Sequence, residues 1–284
     1  MTRTHTPLTV IGQQFREKTK TTPAGTFFWL VANESAEKVV VLVHGVTGNK
    51  LDMVALGEEY IKQGYAVFAP DLPGHGSAPA LNADTFDDLG NWLRDFIFAI
   101  GRTPDILAGN SFASAICYNF ATQGYLSPST HLILACPTPD IAWSSRALRR
   151  ASGVLPSKLA IKSYNSRLAI KARVAYLSKS KRSSAKQWLN ESEYLKIPFI
   201  DAAVSNRMSM LLESHNPYLV SLPEKVQRQI TVIVGEKDNV ITKQSLPTLR
   251  KILPHARLLL VPHVGHILHF EAPEVIANGL VSSN

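Results

Sequence analysis

Short apolar runs alternate along this chain with longer stretches of helical periodicity. Seven of these runs are compact and often β-branched, and they lie at residues 26–31, 39–43, 66–69, 106–108, 132–135, 230–234 and 258–261. Amphipathic stretches lie between or after them, at about 51–63, 84–100, 111–123, 243–253 and 272–282. Continuous apolar runs of this length are typical of strands buried on both faces of a parallel sheet. The alternation therefore predicts an α/β fold with a mostly parallel sheet and helices on both faces.

One more strand is predicted near residues 8–18, ahead of the run at about 26–32. Residues 21–25 join the two segments and include Pro23 and Gly25, which are common in turns. We therefore expect an antiparallel hairpin at one edge, which brings the sheet to eight strands.

The alternation stops after the run that ends at Ala135 and resumes only near residue 230. Residues 138–228 show helical periodicity without strand-like runs. We interpret this segment as a helical cap inserted into a single α/β domain. The predicted core then comprises residues 1–137 and 229–284, and the predicted cap comprises residues 138–228.

Length and composition are consistent with one large core that carries an inserted cap. The chain has 284 residues, of which 45% are apolar. No apolar leader and no apolar run of about 20 residues is present, so a cytoplasmic protein without a transmembrane segment is expected. The two cysteines, Cys117 and Cys136, are expected to be buried and reduced. No array of cysteine and histidine has metal-ligand spacing, so no metal is expected.

The net charge of +8 is unevenly distributed. Residues 140–228 contain 16 basic and 6 acidic side chains, whereas the rest of the chain is close to neutral. Amphipathic helices normally expose charge, so solvated faces are the first interpretation. The alternatives are attraction of an anionic substrate and docking on an acidic membrane surface or another polyanion. No nucleic-acid-binding motif is present, and no nucleic-acid partner is expected.

Candidate chemistry lies just after the predicted strands, where open α/β sheets bind their ligands. The segments are His44 to Gly48 after the third strand, Asp71 to Ser77 after the fourth, Ser111 after the fifth, Gly235 to Asp238 after the seventh, and Gly265 with His266 after the eighth. Ser111 has small residues, Gly109 and Ala113, two positions on either side. This context is typical of a nucleophile elbow, in which a strained turn between strand and helix exposes a hydroxyl. A helix-capping serine is the alternative.

Taken in series, these motifs resemble the α/β-hydrolase superfamily, in its serine-nucleophile branch with a helical cap. The resemblance covers most of the chain outside residues 138–228. It implies a catalytic triad of Ser111, Asp238 and His266 with no cofactor. It also implies an oxyanion hole formed by the backbone N–H groups of Val46 and Phe112. Ala113 departs from the pattern, which usually has glycine there, but alanine is small enough for the elbow to form.

Each assignment has competitors in the sequence. Asp140 follows the sixth strand, where some members of the superfamily carry the acid. His263 and His269 lie close to His266 but do not match the motif. Three further polar residues near the site, His44, Asp71 and His75, are expected to shape the pocket by hydrogen bonding. Residues adjacent to the triad are candidates for the substrate pocket, namely Thr47 and Leu268, together with Val46 and Phe112.

A serine nucleophile favours acyl transfer over haloalkane or epoxide chemistry, for which the resembling families use a carboxylate. The expected function is hydrolysis of a carboxylic ester of a small or medium acyl substrate through an acyl-enzyme. Carbon–carbon bond hydrolysis is an alternative because of Gly109-Asn110-Ser111, although Ile267 stands where those enzymes usually have tryptophan. Aminopeptidase, acyltransferase and non-catalytic receptor functions are further alternatives.

Overall fold

The computed structural model describes residues 6–81, 83–140, 162–199 and 201–279. Its centre is one eight-stranded sheet. The strands are β1 (Arg16–Thr22), β2 (Gly25–Ala32), β3 (Lys38–Val43), β4 (Tyr65–Pro70), β5 (Ile106–Asn110), β6 (His131–Ala135), β7 (Ile230–Gly235) and β8 (Arg257–Val261). Their order across the sheet is β1-β2-β4-β3-β5-β6-β7-β8. Only the pairings β1–β2 and β2–β4 are antiparallel, so the predicted mostly parallel sheet is confirmed.

The prediction for the start of the chain is wrong in part. Residues Leu8–Ile11 form a short helix, α1, and residues Gly12–Gln14 form a 3-10 turn, so the strand begins only at Arg16. Leu8 and Ile11 are three positions apart and both buried, whereas Val10 is exposed. That spacing places the two buried side chains on one face of a helix, and a strand would have separated them. The predicted hairpin is present, with Thr22 paired to Gly25.

Helices cover both faces of the sheet, as predicted. In chain order after α1 they are α2 (Val54–Lys62), α3 (Phe86–Ile100), α4 (Phe112–Thr122), α5 (Arg167–Leu177), α6 (Ser183–Lys196), α7 (Ala202–Ser214), α8 (Glu224–Gln227), α9 (Ser245–Ile252), α10 (Leu268–Glu271) and α11 (Pro273–Asn278). Within β3, Val39 and Val41 pack into one core cluster and Val40 into the other. Successive side chains of a strand point to opposite faces, so β3 is buried from both sides.

Between β6 and β7 the described residues form helices and 3-10 turns, and none of them forms a strand. We call residues 162–199 and 201–228 the helical segment. Residues 141–161 and 200 of the predicted cap lie outside the described residues. Among the residues that the structure describes, no helix is both long enough and apolar enough to cross a bilayer. Cys117 and Cys136 are both buried free thiols.

A buried ionic network joins the helical segment to the core. The ammonium group of Lys196, on α6, lies 2.8 Å from Glu193 Oε1 and 3.4 Å from Asp52 Oδ2. Arg173 Nε, on α5, donates to Glu193 Oε2 at 2.8 Å. Burial alone would raise the pKa of Asp52 and of Glu193, but the charge of Lys196 and the other partners holds both pKa values below the usual range. Both carboxylates are therefore ionised at neutral pH and depend on their cationic partners.

Removing the cation at the centre of this network is expected to destabilise the fold. In Lys196→Met, Asp52 and Glu193 lose their shared partner, and an uncompensated buried charge costs about 3–5 kcal/mol. Lys186→Met is the matched control, because Lys186 lies exposed on the same helix and surface changes usually cost within about 0.5 kcal/mol. Urea unfolding at neutral pH measures both variants. Equal unfolding free energies for the two variants would contradict a stabilising role for the network.

Candidate active site

Ser111 lies in a strained turn between β5 and α4. Its backbone has φ 55° and ψ −115°, in a region that residues other than glycine seldom adopt. The turn depends on close packing of strand and helix, since a Cβ added at Gly109 would lie 2.5 Å from the Ala113 carbonyl oxygen. Ala113 itself is fully buried, and the turn forms with its methyl group in place. Strain of this kind is common at functional sites and aims the Ser111 hydroxyl away from the sheet.

Three side chains from separate loops form a continuous hydrogen-bonded chain. Ser111 Oγ lies 2.7 Å from His266 Nε2, and His266 Nδ1 lies 2.7 Å from Asp238 Oδ2. The side chains of His266 and Asp238 are 7% and 1% exposed, whereas Ser111 is only half-buried. An ionised Asp238 accepts a hydrogen bond from His266 Nδ1–H, so the proton of the neutral imidazole stays on Nδ1 and the Nε2 lone pair faces the serine hydroxyl. The arrangement can therefore remove a proton from Ser111.

The surroundings of Asp238 keep it ionised. Burial opposes its charge, but His266 and a backbone N–H together hold its pKa below the usual range. The N–H of Val240 donates to Asp238 Oδ1 at 2.9 Å, so His266 Nδ1 and Val240 use different oxygens of the carboxylate. An ionised carboxylate in this position fixes both the orientation and the tautomer of His266.

The turn after β3 lies against the elbow. The N–H of Gly48 donates to the Gly45 carbonyl at 3.0 Å, and Thr47 has φ 65°. A Cβ at Gly45 would lie 3.4 Å from the Cβ of Ser111, so Gly45 lets the turn approach the hydroxyl. Val46 belongs to this turn, and Phe112 is the first residue of α4, where backbone N–H groups have no acceptor within the helix.

Hydrogen bonds between loops hold this turn in place. His44 Nε2 accepts from the N–H of Leu72 at 3.0 Å, and His44 Nδ1 donates to the Gly45 carbonyl at 2.8 Å. Asp71 accepts from the backbone N–H of Lys50 at 2.9 Å and from its ammonium group at 2.5 Å. The pairing of Lys50 with Asp71 joins residues 21 positions apart, and no sequence motif indicated it.

The competing residues named from the sequence lie in other contacts. Asp140 Oδ2 accepts from Thr242 Oγ1 at 2.7 Å, and no hydrogen bond joins Asp140 to His266 among the described residues. His263 is mostly exposed and lies 3.8 Å from Glu236. His269 is buried, and burial lowers its pKa to about 4. Of the acids and histidines weighed, Asp238 and His266 are the two that connect to Ser111.

A small cleft lies between the core loops and the helical segment, and none of Ser111, Asp238 and His266 lines it. Its lining consists of Thr47, Gly48, Asn49, His75, Gly76, Lys196, Phe199 and Asp201. Thr47, a predicted pocket residue, is part of this lining. Leu268, the other predicted pocket residue, is fully buried in the core and is not part of it. Phe112 is likewise fully buried, and Val46 is partly buried.

Cys136 lies beside the hydrogen-bonded chain. Its Sγ atom and one ligand atom each of Asp238 and His266 lie within 4.8 Å of one another. Burial raises the pKa of the Cys136 thiol well above its ordinary value, so the thiol is neutral beside Asp238. Asp238 and His266 are already bonded to each other. The group therefore fits a hydrogen-bonded cluster better than a metal site.

Known proteins share both the sequence pattern and the fold. The family model described as "Alpha/beta hydrolase family" matches residues 40–278. Lipase 1 of Psychrobacter immobilis is 25% identical over 254 residues, covering 86% of this chain and 75% of that protein. A 2-succinyl-6-hydroxy-2,4-cyclohexadiene-1-carboxylate synthase of Escherichia coli O157:H7 is 32% identical over 85 residues, covering 30% and 33%. The carboxylesterase CesB of Bacillus subtilis superimposes with a TM-score of 0.72 at 13% identity, covering 97% and 93%.

Proposed function

This chain belongs to the alpha/beta hydrolase family and is a hydrolase, and from that premise we propose that it cleaves carboxylic esters of small or medium acyl groups with Ser111 as nucleophile. The observation that carries the proposal is the chain of two 2.7 Å hydrogen bonds from Ser111 through His266 to Asp238. The similarity to a lipase supports an ester as the bond cleaved.

In the first step, Ser111 Oγ attacks the ester carbonyl carbon and gives its proton to His266 Nε2. Asp238 stabilises the imidazolium that forms and is not itself protonated. The carbonyl oxygen becomes an oxyanion and requires donors that are already in place. We assign this role to the backbone N–H groups of Val46 and Phe112, which lie in the turn after β3 and at the start of α4. The loss of one such donor typically costs about 3 kcal/mol of transition-state stabilisation.

In the second step, the tetrahedral intermediate collapses and His266 returns the proton to the leaving alcohol. The acyl group stays on Ser111 as an ester. Water, with its proton taken by His266, then attacks that ester and releases the carboxylic acid. Ser111 and His266 return to their starting protonation states, so the chemistry needs no cofactor.

We propose that residues 138–228 act as a cap that shapes the substrate pocket, with Thr47 at its edge. The packing of the helical segment against the core loops around Thr47 supports this assignment. An anionic substrate is less well supported, because several cations of the helical segment already have anionic partners. Arg173 pairs with Glu193, and Arg182 pairs with Glu274.

Hydrolysis of p-nitrophenyl esters from acetate to palmitate tests the proposal, with the wild type beside Ser111→Ala at low and high salt. We expect serine-dependent turnover that declines for the longest acyl chains, as the proposed preference for small or medium acyl groups requires. A rate that falls with salt only for an anionic ester would show that the basic side chains of residues 140–228 attract the substrate. Failure to hydrolyse any ester in the series would overturn the proposed function.

Formation of a 2-succinyl-6-hydroxy-2,4-cyclohexadiene-1-carboxylate or a similar product is a second candidate function. The match to the Escherichia coli synthase favours it. Ester hydrolysis is expected only of the first candidate, so the ester series separates the two. If a fluorophosphonate probe labels Ser111 and no ester is hydrolysed, the nucleophile is active and the second candidate gains support.

A further inference from the structure

Glu271, the last residue of α10, is a buried carboxylate that bridges two parts of the molecule. Its Oε2 atom accepts from the backbone N–H of Gly265 at 2.5 Å, next to His266. Its Oε1 atom accepts from the backbone N–H groups of Lys179 at 2.5 Å and of Ser180, and from Ser178 Oγ at 3.3 Å. One oxygen therefore faces the loop of residues 262–267 that carries His266, which we call the histidine loop. The other oxygen faces residues 178–180, which follow α5.

The end of α5 also contacts the histidine loop directly. The carbonyl oxygen of Leu177 accepts from the backbone N–H of His266 at 3.4 Å. A Cβ added at Gly265 would lie 2.4 Å from the same carbonyl oxygen and 3.2 Å from Glu271 Oε2. Gly265 is thus enclosed between the helical segment and Glu271. Both neighbours restrict the backbone position from which the His266 side chain extends.

We propose that Glu271 is a positioning residue for His266. It joins the histidine loop to residues 178–180 of the helical segment and thereby fixes the position of the His266 side chain. This inference rests on the proposed function, in which His266 is the base. Hydrogen bonds to a carboxylate are stronger than those between neutral groups, so the two donor sets fix the carboxylate from both sides. A displacement of about 1 Å in a catalytic group can cost about 100-fold in rate.

The substitution Glu271→Gln tests the bridge with almost no change in size. A carboxylate can accept on both sides, whereas an amide has one accepting oxygen and one donating NH₂ group. In either orientation the NH₂ group of Gln faces backbone N–H donors. The variant therefore loses either the contact to Gly265 or the contacts to residues 178–180, and in both cases the bridge is broken.

The matched control is Glu274→Gln. Glu274 lies three residues further along, is half-exposed and pairs with Arg182 of the same helical segment. Both variants remove one negative charge near the same junction. The measurements are kcat and KM with p-nitrophenyl butyrate, the rate of fluorophosphonate labelling of Ser111, and the thermal unfolding midpoint. All rates are measured well below that midpoint.

For Glu271→Gln we expect kcat and the labelling rate to fall about 10- to 100-fold while KM changes less than about threefold. Glu274→Gln should match the wild type in all three quantities. A folded Glu271→Gln protein with a lower unfolding midpoint but with kcat and labelling rate within about twofold of wild type would overturn the proposal, because Glu271 would then only stabilise the fold.

Two further measurements keep the test decisive. If Glu271→Gln does not fold, Glu271→Asp replaces it, because Asp keeps the charge but is one carbon too short to reach both donor sets. We expect the same fall in kcat at nearly constant KM, and wild-type values would overturn the proposal. If the wild type neither hydrolyses esters nor reacts with fluorophosphonate, the proposed function itself fails, and this inference fails with it.

Discussion

Replacing Ser111 by alanine is expected to lower kcat for ester hydrolysis by about 10⁴-fold or more, with little effect on stability. The variant lacks the attacking oxygen, so no acyl-enzyme can form and only unassisted attack by water remains. The fold should survive, because the contact of Ser111 Oγ in the structure is to His266 Nε2 and the substitution introduces no larger group. Initial rates with p-nitrophenyl butyrate and the thermal unfolding midpoint measure both effects.

Ser114→Ala is the matched control for this prediction. Ser114 lies three residues later in α4, and its hydroxyl lies 2.8 and 2.9 Å from the carbonyl oxygens of Gly109 and Ala135, which share its one proton. Its loss should destabilise the protein by about 1 kcal/mol while kcat falls far less than in Ser111→Ala. If Ser111→Ala retained more than a tenth of the wild-type rate, Ser111 would not be the nucleophile.

The second large effect is expected for Asp238→Asn. An asparagine amide can donate to His266 Nδ1, which stabilises the wrong tautomer and leaves Nε2 unable to accept the serine proton. The corresponding change in a serine protease lowers kcat by about 10⁴-fold, and we expect a loss of about 10³- to 10⁴-fold here. The unfolding midpoint should fall only modestly, because Asn is nearly isosteric with Asp and can keep the bond from Val240. Steady-state kinetics at neutral pH measure the loss.

Asp140→Asn provides the comparison, because Asp140 follows β6 and was the competing acid. Its carboxylate accepts from Thr242, a contact that a neutral amide oxygen can keep. We therefore expect kcat within about threefold of wild type, because the substitution removes no interaction with the reacting groups. A larger loss in Asp140→Asn than in Asp238→Asn would transfer the role of the acid to Asp140.

The central strands could be predicted from the sequence because a buried parallel strand has apolar residues on both faces. The runs that gave β3 to β7 stand out against their amphipathic neighbours, and the structure pairs these strands in parallel with one another. The run at 258–261 gave β8, which is the edge strand and is only partly buried. Residues 8–14 belong to the strand predicted near 8–18, but they form a short helix and a 3-10 turn. The helical spacing of Leu8 and Ile11 becomes decisive only once it is known which side chains meet the core.

Part of the candidate site could also be predicted from the sequence, and part could not. Ser111, Asp238 and His266 follow strands that end at one edge of the sheet, so their proximity follows from the predicted fold. The bridge made by Glu271 and the ionic network of Lys196 depend on how the helical segment packs on the core. Periodicity alone does not fix that packing, because a helix with charges on several faces can turn more than one of them inward.

Trapping of the covalent intermediate tests the central claim most directly. The wild type and Ser111→Ala are mixed with p-nitrophenyl butyrate, quenched in acid within the first turnovers and digested, and the peptides are analysed by mass spectrometry. We expect a butyryl group on Ser111 in the wild type and no acylated peptide in the variant. Burst release of one equivalent of p-nitrophenol without any acyl group on Ser111, or acylation at another residue, would contradict the claim.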